Sequence, residues 1–79
     1  MKRVKVLGMG CPKCTMLEDK VKQVAESNDI PIMLEKIKDL PTIQKYGIMI
    51  TPALVIEDKV RAYGRIPKDE EILAWLNEA

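Results

Sequence analysis

The chain contains no histidine. That one absence removes the commonest general base and a common zinc ligand together. Long apolar runs are missing too: nothing approaches the ~18 consecutive apolar residues of a membrane span. The apolar stretch behind the Met1-Lys2-Arg3 start runs only from Val4 to Leu7 and has Lys5 inside it, too short for a secretory signal. Neither sign of charge dominates, since thirteen basic residues face twelve acidic ones for a net +1. No field therefore exists to draw in nucleic acid or an anionic membrane. No internal repeat, low-complexity tract or linker interrupts the sequence. Gly8-Met9-Gly10 begins a dinucleotide-binding fingerprint, but Lys13 stands where its third glycine belongs, so no dinucleotide site is expected. The expectation is a cytoplasmic protein with no membrane, nucleic-acid or cofactor-binding role.

What is present suits one small globular domain over residues 1–79, with 47% hydrophobic and 32% charged residues. Val4-Lys5-Val6-Leu7 reads as a first strand, closed by Gly8 and Gly10. A helix then opens at Cys11-Pro12, since proline fits the first helical position. Leu17, Val21, Val24 and Ala25 draw one apolar stripe along it as far as Asn28. Pro31 breaks the pattern and Ile32-Met33-Leu34 starts a second strand, so the three elements form a parallel βαβ unit. A short helix is predicted from Leu40 to Tyr46, stopped by Gly47. Ile48 to Ile56 is the most apolar stretch and reads as a central strand, followed by a tight turn at Asp58-Lys59 and an antiparallel partner from Val60 to Tyr63. Gly64 ends that strand. Pro67 to Glu71 opens a last helix, with acidic residues where the helix dipole favours them, and Ile72, Leu73, Trp75 and Leu76 form its buried face. Trp75, Tyr46 and Tyr63 are read as core fillers.

The only two cysteines, Cys11 and Cys14, lie three residues apart at the predicted start of the first helix. Sulfurs at that spacing can close a disulfide, hold half of a soft-metal site, or sit as small buried hydrophobes. A helix start favours chemistry, because unpaired N–H groups and the positive end of the macrodipole stabilise a thiolate. Lys13 adds a cation in the same direction. Cys14 shares the core-facing stripe with Leu17 and Val21, so it should be partly covered, whereas Cys11 sits at the edge. This assigns Cys11 as the attacking sulfur and Cys14 as the resolving one. The proline of Thr51-Pro52 falls inside an apparent central strand, where it cannot donate to the ladder. A cis bond there and a trans proline at the first residue of the strand are both open from local sequence.

Cys11-Pro12-Lys13-Cys14 after the first strand, followed in order by Tyr46-Gly47-Ile48, Thr51-Pro52 and Gly64, resembles the thioredoxin/glutaredoxin superfamily, and within it the small thioredoxin-like redox-active disulfide proteins. The resemblance covers essentially the whole chain. It implies an α/β minimal thioredoxin fold, β-α-β-α-β-β-α, whose four-stranded mixed sheet has its first and third strands at the centre and helices on both faces. It implies that Pro52 is a cis-proline facing the cysteines, that the Thr51 main chain offers hydrogen bonds to substrate, and that Gly64 lies close to the same surface. Pro12 and Lys13 join these as substrate-contacting residues. Three departures stand out. Gly10 takes the place of a tryptophan, the Pro-Lys dipeptide is not a familiar pair, and no carboxylate occurs between Met1 and Cys11 to serve as a buried acid. Glu18, one turn after Cys14, is a candidate substitute but reads as an exposed helix residue.

The function expected is thiol–disulfide exchange, in which a mixed disulfide forms on Cys11 and is resolved by Cys14. The chain would act as a monomeric electron carrier in cell redox homeostasis, with no cofactor beyond the Cys11–Cys14 disulfide. Its partners would be disulfide-containing proteins and an upstream reductase or small thiol. The rival is a soft-metal (copper or zinc) carrier using Met9, Cys11 and Cys14, since Gly8-Met9-Gly10-Cys11 is similar to the loop of heavy-metal-associated domains. Those domains run βαββαβ and end in a strand, whereas this chain ends in the Ile72-to-Leu76 helix; Pro12 and the Thr51-Pro52 pair also favour redox work, so Met9 is expected to anchor the loop rather than bind metal.

Overall fold

The computed structural model describes residues 2–10 and 12–78. Its first strand, β1 (Lys2–Leu7), alternates: Val4 and Val6 turn to one hydrophobic cluster and Leu7 to another. That alternation decides where every later element must lie. α1 (Pro12–Ser27) covers the Val4/Val6 face with Leu17, Val21, Val24 and Ala25. It supplies the crossover that parallel strands require, and β2 (Ile32–Ile37) then pairs with β1 in parallel, Val4 opposite Leu34 and Val6 opposite Lys36. α2 (Leu40–Lys45) caps the opposite face through Ile43, which packs with Leu7, Ala53 and Val55. Asp39 starts it by accepting a hydrogen bond from the Thr42 N–H at 3.3 Å, and Gly47, at φ 73°, lets the chain turn away after it.

β3 (Ala53–Ile56) pairs antiparallel with β1, and β4 (Lys59–Tyr63) pairs antiparallel with β3, giving the order β2-β1-β3-β4. Both central strands are flanked on each side, and all of β3 is buried. α3 (Asp69–Leu76) returns to the face of α1, adding Ile72 and Leu76 to its cluster. The result is the α/β arrangement expected, with α1 and α3 on one face of a mixed sheet and α2 on the other.

Three local expectations are corrected. The third strand begins at Ala53 instead of Ile48. Pro52 has no N–H to give the ladder, and before it Ile48 is buried while Met49 and Ile50 are exposed. The hairpin turn falls on Glu57 and Asp58, whose φ values of 51° and 64° match the two left-handed positions of a type I′ turn, with Ile56 paired to Lys59 across it. Tyr63 is exposed rather than a core filler. It pairs with Ala53 on the edge strand, and the cluster under α2 draws on β1 and β3 but not on β4. Trp75 and Tyr46 do pack against the two clusters.

At the start of α3, both carboxylate oxygens of Glu71 accept hydrogen bonds from the Arg65 guanidinium at 3.0 and 2.9 Å, and Oε1 also accepts from the Lys68 N–H at 3.1 Å. The Arg65 bonds, followed by the Lys68 N–H, hold the Glu71 pKa down at about 2. A carboxyl depressed in the folded state stabilises it above the ordinary value of 4.5, and that stabilisation is lost as pH falls from there towards about 2. Acid titration followed by circular dichroism should therefore show Glu71→Gln less stable than the wild type at neutral pH. The two should converge below pH ~2, and an unchanged gap across the acid range would contradict the pairing.

Candidate active site

The site grows from the C-terminal end of β1. Gly8 continues the ladder by donating its N–H to the Ile37 carbonyl at 2.9 Å. The chain then loops through Met9 and Gly10, whose φ of 88° suits glycine, into α1. Cys14 lies in the first turn of that helix, 6% exposed, and is held in a disulfide. Cys11 lies outside the described residues. Pro12 and Lys13 are exposed on the same first turn, which carries no acidic side chain to oppose a thiolate.

Gly8 is where the pieces meet. A Cβ built there would fall well inside van der Waals contact of Cys14 Sγ, 3.2 Å from Cys14 Cβ and 3.9 Å from Thr51 Cβ. The absence of a side chain at Gly8 therefore lets Cys14 sit against the sheet end, with Thr51 on the other side. The Thr51–Pro52 bond is cis, and Pro52 is buried. Its carbonyl accepts a hydrogen bond from the Gly64 N–H at 2.9 Å. Gly64 in turn lies under Ile50, where a Cβ would come 2.9 Å from Ile50 Cγ2. Cys14, Thr51, Pro52 and Gly64 thus form one connected cluster. Met9, expected to anchor the loop, is 64% exposed; the loop is held by its backbone and by the burial of Gly8.

Glu18 also departs from expectation. Far from being exposed, it is 7% accessible and is the one buried charged residue among those described. Lys22 Nζ lies 3.1 Å from Oε1 and Lys36 Nζ 3.1 Å from Oε2. Burial, the largest single influence, pushes the Glu18 pKa up; the hydrogen bonds and charges of Lys22 and Lys36 together outweigh it, so the pKa is lowered. Two signals mark this site in the sequence. Glu18 follows Cys14 by four residues, within the stripe formed by Cys14, Leu17 and Val21. Lys36 takes the apolar phase of β2 after Ile32 and Leu34. A cavity of about 50 Å³ lies between Cys14, Gly8, Glu18, Lys36 and Lys38.

Among the described residues no group of three or more His, Cys, Asp or Glu is placed to hold a metal. Among the same residues no helix is long and apolar enough to cross a membrane. Residues 2–77 match the family model of the thioredoxin domain. The chain is 31% identical over 72 residues to a thioredoxin of Methanothermobacter thermautotrophicus, a match covering 91% of this chain and 94% of that protein. It is 32% identical over 69 residues to a thioredoxin of Methanocaldococcus jannaschii, covering 87% of this chain and 79% of that one.

Proposed function

The chain belongs to the thioredoxin domain family, a family of thiol–disulfide oxidoreductases, and from that premise we propose that it reduces protein disulfides through Cys11 and Cys14, acting as a single domain over residues 1–79. The thiolate of Cys11 attacks one sulfur of a substrate disulfide. That bond breaks, and the second substrate sulfur leaves as a thiolate that takes a proton from water. Cys14 then gives up its proton to solvent and attacks the Cys11 sulfur of the mixed disulfide. The first substrate sulfur is released and protonated in turn, and a Cys11–Cys14 disulfide remains. The two electrons passed to the substrate are restored by an upstream reductase or a small thiol.

The observation that carries this reading is the burial of Cys14 against Gly8 and Thr51 in the first turn of α1. A sulfur so covered is ill placed to meet a protein-sized disulfide itself and suits the second, resolving step. Thr51 lies beyond the last paired residues of β3, where Ala53 faces Leu7 and Tyr63. Its main chain is the proposed partner of an extended substrate segment, with Pro52 and Gly64 behind it and Pro12 and Lys13 on the rim. A cytoplasmic, monomeric electron carrier of thioredoxin or glutaredoxin type fits this assignment. Membership of the thioredoxin family weighs against the soft-metal carrier with Met9, Cys11 and Cys14 as ligands. The test is reduction of insulin disulfides with dithiothreitol as electron source. The protein should accelerate precipitation of the insulin B chain well beyond the reagent alone, and no acceleration would overturn the reductase assignment.

A further inference from the structure

Thiol exchange needs the resolving sulfur ionised at the right moment, and a buried sulfur is a poor place for charge. Burial alone raises a thiol pKa. The charges next to Cys14 therefore decide how easily it gives up its proton, and they come from two elements. From α1 come Lys13, the chain neighbour of Cys14 on the exposed first turn, and Glu18, one turn along on the same helix face, which Lys22 pairs in turn. From β2 and the residues after it come Lys36 and Lys38. The register that pairs Lys36 with Val6 turns it to the face covered by α1, where its ammonium meets the Glu18 carboxylate. Cys14, Glu18, Lys36 and Lys38 share the walls of one small cavity.

We propose that Glu18, clamped between Lys22 and Lys36, is a positioning residue that acts as a fixed negative charge on Cys14, offsetting the lysines and so holding back ionisation of the resolving sulfur. Each carboxylate oxygen is engaged by its own ammonium group. A carboxylate held so is not a ready acceptor for a thiol proton, and its pKa is shifted away from that of a thiol rather than towards it. Its effect on Cys14 is therefore electrostatic, and the two partners of the clamp must act with opposite sign. Removing the Glu18 charge leaves Lys13, Lys22, Lys36 and Lys38 uncompensated and favours the Cys14 thiolate. Removing the Lys36 charge leaves Glu18 less compensated and disfavours it. A residue needed only for packing would show no such reversal.

This inference rests on the thiol-exchange reading, but its test does not need turnover. In the full chain carrying Cys11→Ser, Cys14 is the single thiol, and its titration can be followed by ultraviolet thiolate absorbance. Glu18→Gln, which keeps the shape but turns one of the two accepting oxygens into a donor, should lower the Cys14 pKa by about 0.5 unit or more, roughly a threefold gain in thiolate at a pH below the pKa. Lys36→Met, at an edge-strand position whose side chain is 56% exposed, should raise the pKa by a similar amount. Shifts of the same sign, or both smaller than ~0.2 unit, would overturn the proposal. If the opposed shifts appear while the wild type fails to reduce insulin, the reductase assignment falls and the electrostatic one stands.

Discussion

Cys14→Ser is expected to yield a protein that attacks a disulfide once and stops, accumulating as a mixed disulfide with its substrate, whereas Cys11→Ser should form no such adduct and show only the background rate of the reducing agent. The asymmetry follows from cover. Cys14 is 6% exposed beneath the end of β1, against Gly8 and beside Thr51, so a folded partner's sulfur cannot approach it in line. Position 11 precedes the first residue of α1, where the helix dipole and Lys13 both favour a thiolate. With Cys14 gone, the mixed disulfide on Cys11 has no intramolecular resolving thiol, and only a second external thiol can release it. Non-reducing electrophoresis of each variant after incubation with an oxidised protein substrate provides the check. If Cys11→Ser traps the adduct and Cys14→Ser does not, the two sulfurs have exchanged roles.

Much of this arrangement was legible in the chain, and the parts that were not share a physical cause. Alternation in Val4-Lys5-Val6-Leu7 and the stripe through Cys14, Leu17 and Val21 are properties of single elements, and the sheet and α1 follow them closely. The start of β3 was hidden because an apolar run looks continuous up to the residue where a ladder hydrogen bond can no longer be donated. Periodicity sees hydrophobicity and not pairing. The burial of Glu18 escapes the sequence for a related reason. A glutamate on a helix reads as solvated when the helix is taken alone, and it is buried here because Lys36 arrives from another strand in the register Val6 to Lys36. Each charge is out of pattern in its own element, and together they explain each other. Tyr63 shows the converse, a residue with core chemistry left exposed because α2, only six residues long, covers the middle of its face.

Gly8→Ala is expected to be among the most damaging single-methyl changes available in this chain, although Gly8 needs no unusual backbone angle. Its N–H is committed to the Ile37 carbonyl, so the backbone cannot retreat, and the added methyl would overlap Cys14 Sγ with Cys14 Cβ only 3.2 Å away. Overpacking of this kind costs about 1–3 kcal/mol, or roughly 5–20 °C in Tm for a domain of this size. The cost should differ between redox states. A reduced Cys14 can swing its thiol away by rotating about χ1, whereas a sulfur bonded in a disulfide cannot. The oxidised form therefore bears more of the clash, and each ~1.4 kcal/mol of difference raises the reduction potential by ~30 mV. Gly10→Ala is the natural control. That position has a φ of 88° and, among the described residues beyond its chain neighbours, no atom within 4 Å of a built Cβ, so alanine there carries a backbone penalty of about 1–2 kcal/mol that both redox states share. Thermal melts of oxidised and reduced protein, with redox equilibration against glutathione, separate the two cases. Gly8→Ala should lose more stability when oxidised and become the stronger oxidant, while Gly10→Ala should lose stability equally and keep the wild-type potential. Equal losses in both states of Gly8→Ala would mean that Cys14 does not rest against Gly8 in the oxidised protein.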